Sequence, residues 1–178
     1  VRAAAALLLA LAVCGCYPFP PEAETADALG PEAPGVSTGP LHRPGQPCLV
    51  CHGDNYQRGG VVFEVAGTVY RRAGDEDGQV GADVVMTDAD GRTFTARTNL
   101  AGNFTVEVDT ALSAPRQRDE GQLDIDFAPT FPLVVEVDAD GEERHMRSAI
   151  YREGSCSACH LREVDELSAG RVVLVGAP

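Results

Sequence analysis

The chain has 178 residues, 44% of them hydrophobic, a formal net charge of −13 and no tryptophan. That excess of acid argues against nucleic acid and anionic membrane surfaces as partners held by charge, and the length suits one principal domain rather than several in series. Six cysteines and four histidines carry most of the remaining information.

The first segment, residues 1–16, reads as a secretory signal. Arg2 is a minimal positive region, Ala3 to Val13 is continuously apolar, and small residues follow. The apolar run is too short for a membrane span. Val13-Cys14-Gly15-Cys16 resembles a bacterial lipoprotein cleavage box, with Cys16 as the lipid acceptor because Gly15 precedes it. The resemblance implies an exported protein of the periplasm or cell surface, touching the outer membrane only through a lipid anchor. An ordinary cleaved signal is the alternative. Residues 17–47 are rich in Pro, Ala and Glu without apolar periodicity, which predicts a disordered tether.

A first cysteine motif, Cys48-Leu49-Val50-Cys51-His52, opens the segment 48–60, and a second, Cys156-Ser157-Ala158-Cys159-His160, lies in 152–178. Both read C-x-x-C-H. Cysteines three apart share one helical turn, so both thiols can reach the vinyl groups along one porphyrin edge. The adjacent imidazole can then reach the iron. With Cys14 and Cys16 in the signal, the motifs use every remaining cysteine and leave none for a structural disulfide. Zinc would not require a histidine after each second cysteine, and a thiol redox centre would sit more naturally in a thioredoxin-like βαβ context, which is absent. The paired motifs resemble those of dihaem c-type cytochromes. The resemblance implies two covalent c-type haems on Cys48, Cys51, Cys156 and Cys159, with His52 and His160 as proximal ligands.

Two histidines then remain, His42 and His145, one upstream of each motif. Two haems have four axial positions, so the tally closes with His42 and His145 as distal ligands. Met86 and Met146 are the competitors. Strand alternation puts Met146 on one face with Ile150 and His145 on the other, and puts Met86 with Ala82 and Val84, so both methionines read as core. Six extended residues from His42 to Cys48 reach about 20 Å, enough to round a porphyrin edge. Each upstream histidine could serve its own haem, the pair could cross over, or a neighbouring molecule could supply the ligand.

From residue 61 to 151 the pattern is of short strands broken by turns: Val61–Arg71, Ala82–Thr87, Arg92–Thr98, Asn103–Asp109, Gln122–Phe127, Leu133–Asp138 and Glu143–Tyr151, with Arg171–Val175 beyond the second motif. No long helical pattern appears outside the signal. The fold class is mainly β, a sandwich flanked by the two haem segments. Gly67-Thr68-Val69, Gly81-Ala82-Asp83-Val84, Asp90-Gly91 and Thr98-Asn99-Leu100-Ala101-Gly102-Asn103-Phe104 resemble the carboxypeptidase-regulatory-like, or transthyretin-like, sandwich. The likeness implies Val69, Val84 and Phe104 between the sheets. Asn99 stands where many relatives have Asp. An echo, V-V-x-x-D-A-D-G, begins at Val84 and at Val134; lacking the third acid and final Glu of a calcium loop, it reads as two hairpin turns.

The expected function is electron transport by outer-sphere transfer between bis-histidine haems in a periplasmic or surface chain, not enzymatic catalysis. Partners would be redox proteins with a basic docking face, other multihaem cytochromes, or copies of itself in a polymer. A peroxidase-like haem enzyme, or a haem-based sensor or binding module, is the alternative and requires an open iron position.

Overall fold

The computed structural model describes residues 21–32, 34–36, 38–56, 60–112, 114–162, 164, 166 and 168–175. The expected signal at 1–16, with Cys16, lies outside the described residues, as does the start of the tether. Among the described residues nine strands form the frame: β1 (Val65–Tyr70), β2 (Asp83–Thr87), β3 (Thr93–Arg97), β4 (Asn103–Val108), β5 (Arg116–Gln117), β6 (Gln122–Ile125), β7 (Val134–Ala139), β8 (Glu142–His145) and β9 (Val172–Val173). They pair into two sheets, ordered β5-β6-β4-β1-β9 and β3-β2-β7-β8. The chain is a β-sandwich.

Period-two patterning makes it so. Val84 and Met86 on β2, Phe94 and Ala96 on β3, and Val135, Val137 and Ala139 on β7 turn inward. They meet Val65 and Val69 on β1, Phe104 and Val106 on β4, and Leu123 and Ile125 on β6. Met86 is fully buried, and Met146 is half-buried against the same core. The two Asp-Ala-Asp-Gly stretches turn β2 into β3 and β7 into β8. At the first, Asp88 accepts the backbone N–H groups of Asp90, Arg92 and Thr130, so its carboxylate is spent on the turn.

Strands expected long are mostly trimmed at their ends. Glu143–Tyr151 is the exception and breaks in two. Met146 N–H donates to Val135 O and Ile150 N–H to Leu133 O, so the span 146–150 faces the shorter span 133–135. The extra residues loop out as a bulge. β5 was not legible, being two exposed residues that pair with β6.

The expected tether is corrected more substantially. Within 17–47, Pro21–Ala28 forms a helix, α1, with Ala23 and Ala26 buried. Glu and Ala favour helix, and alanines three apart share a face; small side chains hid that face from a search for large apolar residues. Residues 39–46 are docked as well. On β1 every residue is buried, since Ala66, Thr68 and Tyr70, alternating with the core-facing ones, lie beneath this segment and the C-terminal one.

Candidate functional site

Both cysteine motifs fold into the same single turn. In the first, His52 N–H donates to Cys48 O at 2.9 Å and Cys51 N–H to the same oxygen at 3.1 Å. In the second, His160 N–H donates to Cys156 O at 2.9 Å and Cys159 N–H at 3.2 Å. Residues Leu49–His52 form a short helix, α2, and Cys156–Ala158 a 3-10 turn. The spacing thus places both thiols and the imidazole of each motif around one turn.

The two proximal candidates also share a second feature. His52 Nδ1 lies 3.0 Å from Val61 O, and His160 Nδ1 lies 2.7 Å from Gly170 O. A carbonyl only accepts, so each Nδ1 donates to it, and in the neutral ring this leaves the lone pair on Nε2. This is the tautomer, and the carbonyl contact on the far ring nitrogen, that ligating imidazoles use. Phe63 stacks on His52 with ring centroids 4.7 Å apart, which fixes the ring plane. Burial, and secondarily the nearby His42, holds His52 below the ordinary histidine pKa even against the Val61 hydrogen bond, which favours its neutral form.

His42 faces His52 with ring centroids 5.8 Å apart and planes tilted by 47°. Its Nδ1 is likewise tied to a backbone carbonyl, that of Gly39. Two imidazoles on opposite sides of one metal, with bonds of about 2 Å each, have centroids about 6 Å apart. The observed separation fits. His42, Cys48, Cys51 and His52 line one cavity of about 870 Å³, within the range of pockets for cofactor-sized ligands. Phe63 and Val61 add apolar wall, and Arg43 and Gln46 supply polar groups at its margin. These residues fit a haem.

The loop carrying His42 is held by the sandwich itself. Asn103 Nδ2 donates to His42 O at 3.0 Å and Pro40 O at 3.2 Å, and Asn99 Nδ2 donates to Pro40 O at 2.8 Å. Thr68 Oγ1 receives Gly45 N–H at 2.7 Å and donates to Asn103 Oδ1 at 2.7 Å. The Asn99 amide matters here, because an aspartate could not donate to Pro40 O. Arg43 completes the loop, reaching Glu32, Gln46 and the carbonyls of Leu29 and Gly30, and so ties α1 over the cavity.

Elsewhere the predicted residues are less assembled. His145 projects from β8, and its Nδ1 lies 3.2 Å from Glu136 and its Nε2 2.5 Å from Glu143. Among the described residues no ring contact or hydrogen bond joins His145 to His160. Cys156 is packed against the core beside Gly67, and Cys159 is exposed. Burial pushes the Cys48 thiol up to about 11, with Cys51 adding to it. Burial, and next the proximity of Cys48, pushes Cys156 up to about 12. Reactive dithiol centres lower the pKa of the attacking cysteine; these two move the other way.

Sequence reasoning missed Phe63, Thr68, Asn103, Arg43 and the carbonyls of Val61 and Gly170 as site residues. Asn99 and Asn103 were visible only as turn residues, and a backbone acceptor leaves no trace in side-chain identity. Comparison of the chain with protein-family models, curated proteins and solved structures found no match in any of the three.

Proposed function

We propose that this chain is an exported dihaem c-type cytochrome, anchored by lipid at Cys16, that carries electrons between redox partner proteins and is not an enzyme. The observation that carries the reading is the facing pair His42 and His52 beside Cys48 and Cys51. Both rings have Nδ1 committed to a carbonyl, and their centroids are separated by 5.8 Å. A haem held there supplies a one-electron iron couple; the chain supplies everything that tunes it. Cys48 and Cys51 fix one edge, and the turn presents His52. The Val61 carbonyl and Phe63 ring lock that imidazole. Asn103, Asn99 and Thr68 hold the loop that carries His42; with both imidazoles on the iron no position would be left for a substrate. Of the arrangements open to His42, the geometry favours the local one.

The second motif has the same turn and the same Nδ1–carbonyl lock. Its distal position is where a second reading has support, because both ring nitrogens of His145 face carboxylates. An open sixth position there is the requirement of the haem-enzyme or sensor alternative. Carbon monoxide added to the reduced, purified protein decides between them. No spectral response supports a carrier closed at both sites. A response from half the haem, abolished when Cys156 and Cys159 are replaced by alanine, supports an open second site. A response from all of it overturns the assignment of His42.

A further inference from the structure

Gly67 occupies the middle of β1, where glycine is a poor strand residue and marks close approach of another group. Its φ is not in the positive region, so space, not backbone freedom, accounts for it. A Cβ there would lie 2.8 Å from Cys156 Cβ, 3.0 Å from Phe104 Cε1 and 3.1 Å from Cys156 Sγ. Neither neighbour can withdraw easily. Phe104 is in the core, and the backbone before Cys156 is pinned by Ala66 N–H donating to Gly154 O at 3.0 Å and by pairing of Ala66 with Ser155.

The residue that follows, Thr68, receives Gly45 N–H on the approach to the first motif. Both cysteine segments are therefore fastened to three consecutive residues, which rise about 3.3 Å each along the strand. Alternation turns Gly67 toward the core with Phe104, its register partner, and Thr68 outward with Asn103. The second segment meets β1 along its edge through Ala66 and at the inner face through Gly67, and the first meets it at the outer face through Thr68. The influence of Cys48 on the Cys156 thiol agrees with this closeness.

We infer that β1 is a common wall holding the two C-x-x-C-H segments as neighbours, with Gly67 as the positioning residue that sets how closely the second one approaches. The cofactors in this statement rest on the haem reading above; the placement of the segments belongs to the chain. Two porphyrins anchored at Cys48 and Cys51 and at Cys156 and Cys159 then couple optically within one molecule.

Soret circular dichroism of the fully loaded protein tests this, alongside a pyridine haemochrome count. The expected result is two haems per chain and a paired positive and negative band, which collapses to a single band in the Cys156→Ala/Cys159→Ala variant. Two haems without the paired band overturn the neighbour placement and leave the haem reading standing. A count below two overturns the dihaem reading. Placement is then judged on the haem-free chain, with all four thiols unoccupied, by treatment with dibromobimane: a Cys48–Cys156 cross-link in the peptide masses supports it, and its absence overturns it. Gly67→Val should reduce the amplitude of the paired band at least twofold with both haems retained. An unchanged amplitude in a folded Gly67→Val protein removes Gly67 as the positioning residue. Should that variant not fold, Gly67→Ala is read the same way.

Discussion

Replacing Asn103 with alanine should loosen the loop that presents His42, and the size of the effect can be worked from its contacts. Asn103 donates to His42 O and Pro40 O and accepts from Thr68. Pro40 O keeps the Asn99 donor, so the net loss is the two hydrogen bonds to His42 O and from Thr68, or about 2 kcal/mol. For a chain of this size that lowers the unfolding temperature by about 4–8 °C. If the loss falls wholly on the docked loop, the population with His42 displaced rises about 30-fold, since 1.4 kcal/mol is roughly a factor of ten. Stopped-flow carbon monoxide binding to the reduced Cys156→Ala/Cys159→Ala background reads that population as a rate. A lower unfolding temperature with an unchanged rate would show that His42 does not ligate the first haem. No change in either would show that Asn103 does not hold the loop. Asn103→Asp should be worse than alanine, because it sets a buried charge against two carbonyl oxygens.

Phe63→Ala removes the ring stacked on His52; at a half-buried site the expected cost is about 2 kcal/mol, read by thermal unfolding, with a broadened low-spin signal in electron paramagnetic resonance. In the haem-free chain, NMR titration of the His52 ring should give a midpoint below the ordinary histidine value, because burial disfavours its charged form. Stability tied to that group is present above the usual histidine pKa of about 6.5 and is lost as pH falls from there through the lower folded value. Asp124 behaves in the acid range. Burial raises its pKa, but hydrogen bonds from Arg116, Gln122 and Arg118 outweigh that and leave it below the usual carboxylate value. Its contribution is present above the ordinary pKa of about 4 and is lost as pH falls through the lower folded value. Asp124→Asn should cost about 1–2 kcal/mol at neutral pH and flatten the acid limb of unfolding temperature against pH; an unaltered limb would exclude Asp124 as its source.

The sandwich was readable because its signal is local. Alternating apolar residues such as Val84 and Met86, or Phe94 and Ala96, and the turns at Gly91 and Gly141 specify faces and hairpins without reference to anything distant. The motif turns were readable for the same reason. What failed was non-local. The packing of α1 depends on what lies beneath Ala23 and Ala26, and the docking of residues 39–46 depends on Asn99, Asn103 and Thr68, more than twenty positions away. Histidine counting gave candidate ligands without partners. Only the fold brings His42 to His52, and it brings His145 to Glu136 and Glu143 instead. Gly67 was noticed as part of a sandwich pattern, yet its reason lies in Cys156, far along the chain.

The most direct test of the central claim is the intact mass of the protein produced in a bacterial host with a cytochrome c maturation system. The account predicts a mass increment of two haems, falling to one when Cys48 and Cys51 are replaced by alanine, to one when Cys156 and Cys159 are, and to none when all four are. A chain exported and folded in that host with unmodified thiols, a disulfide or a bound zinc ion in place of haem would contradict it.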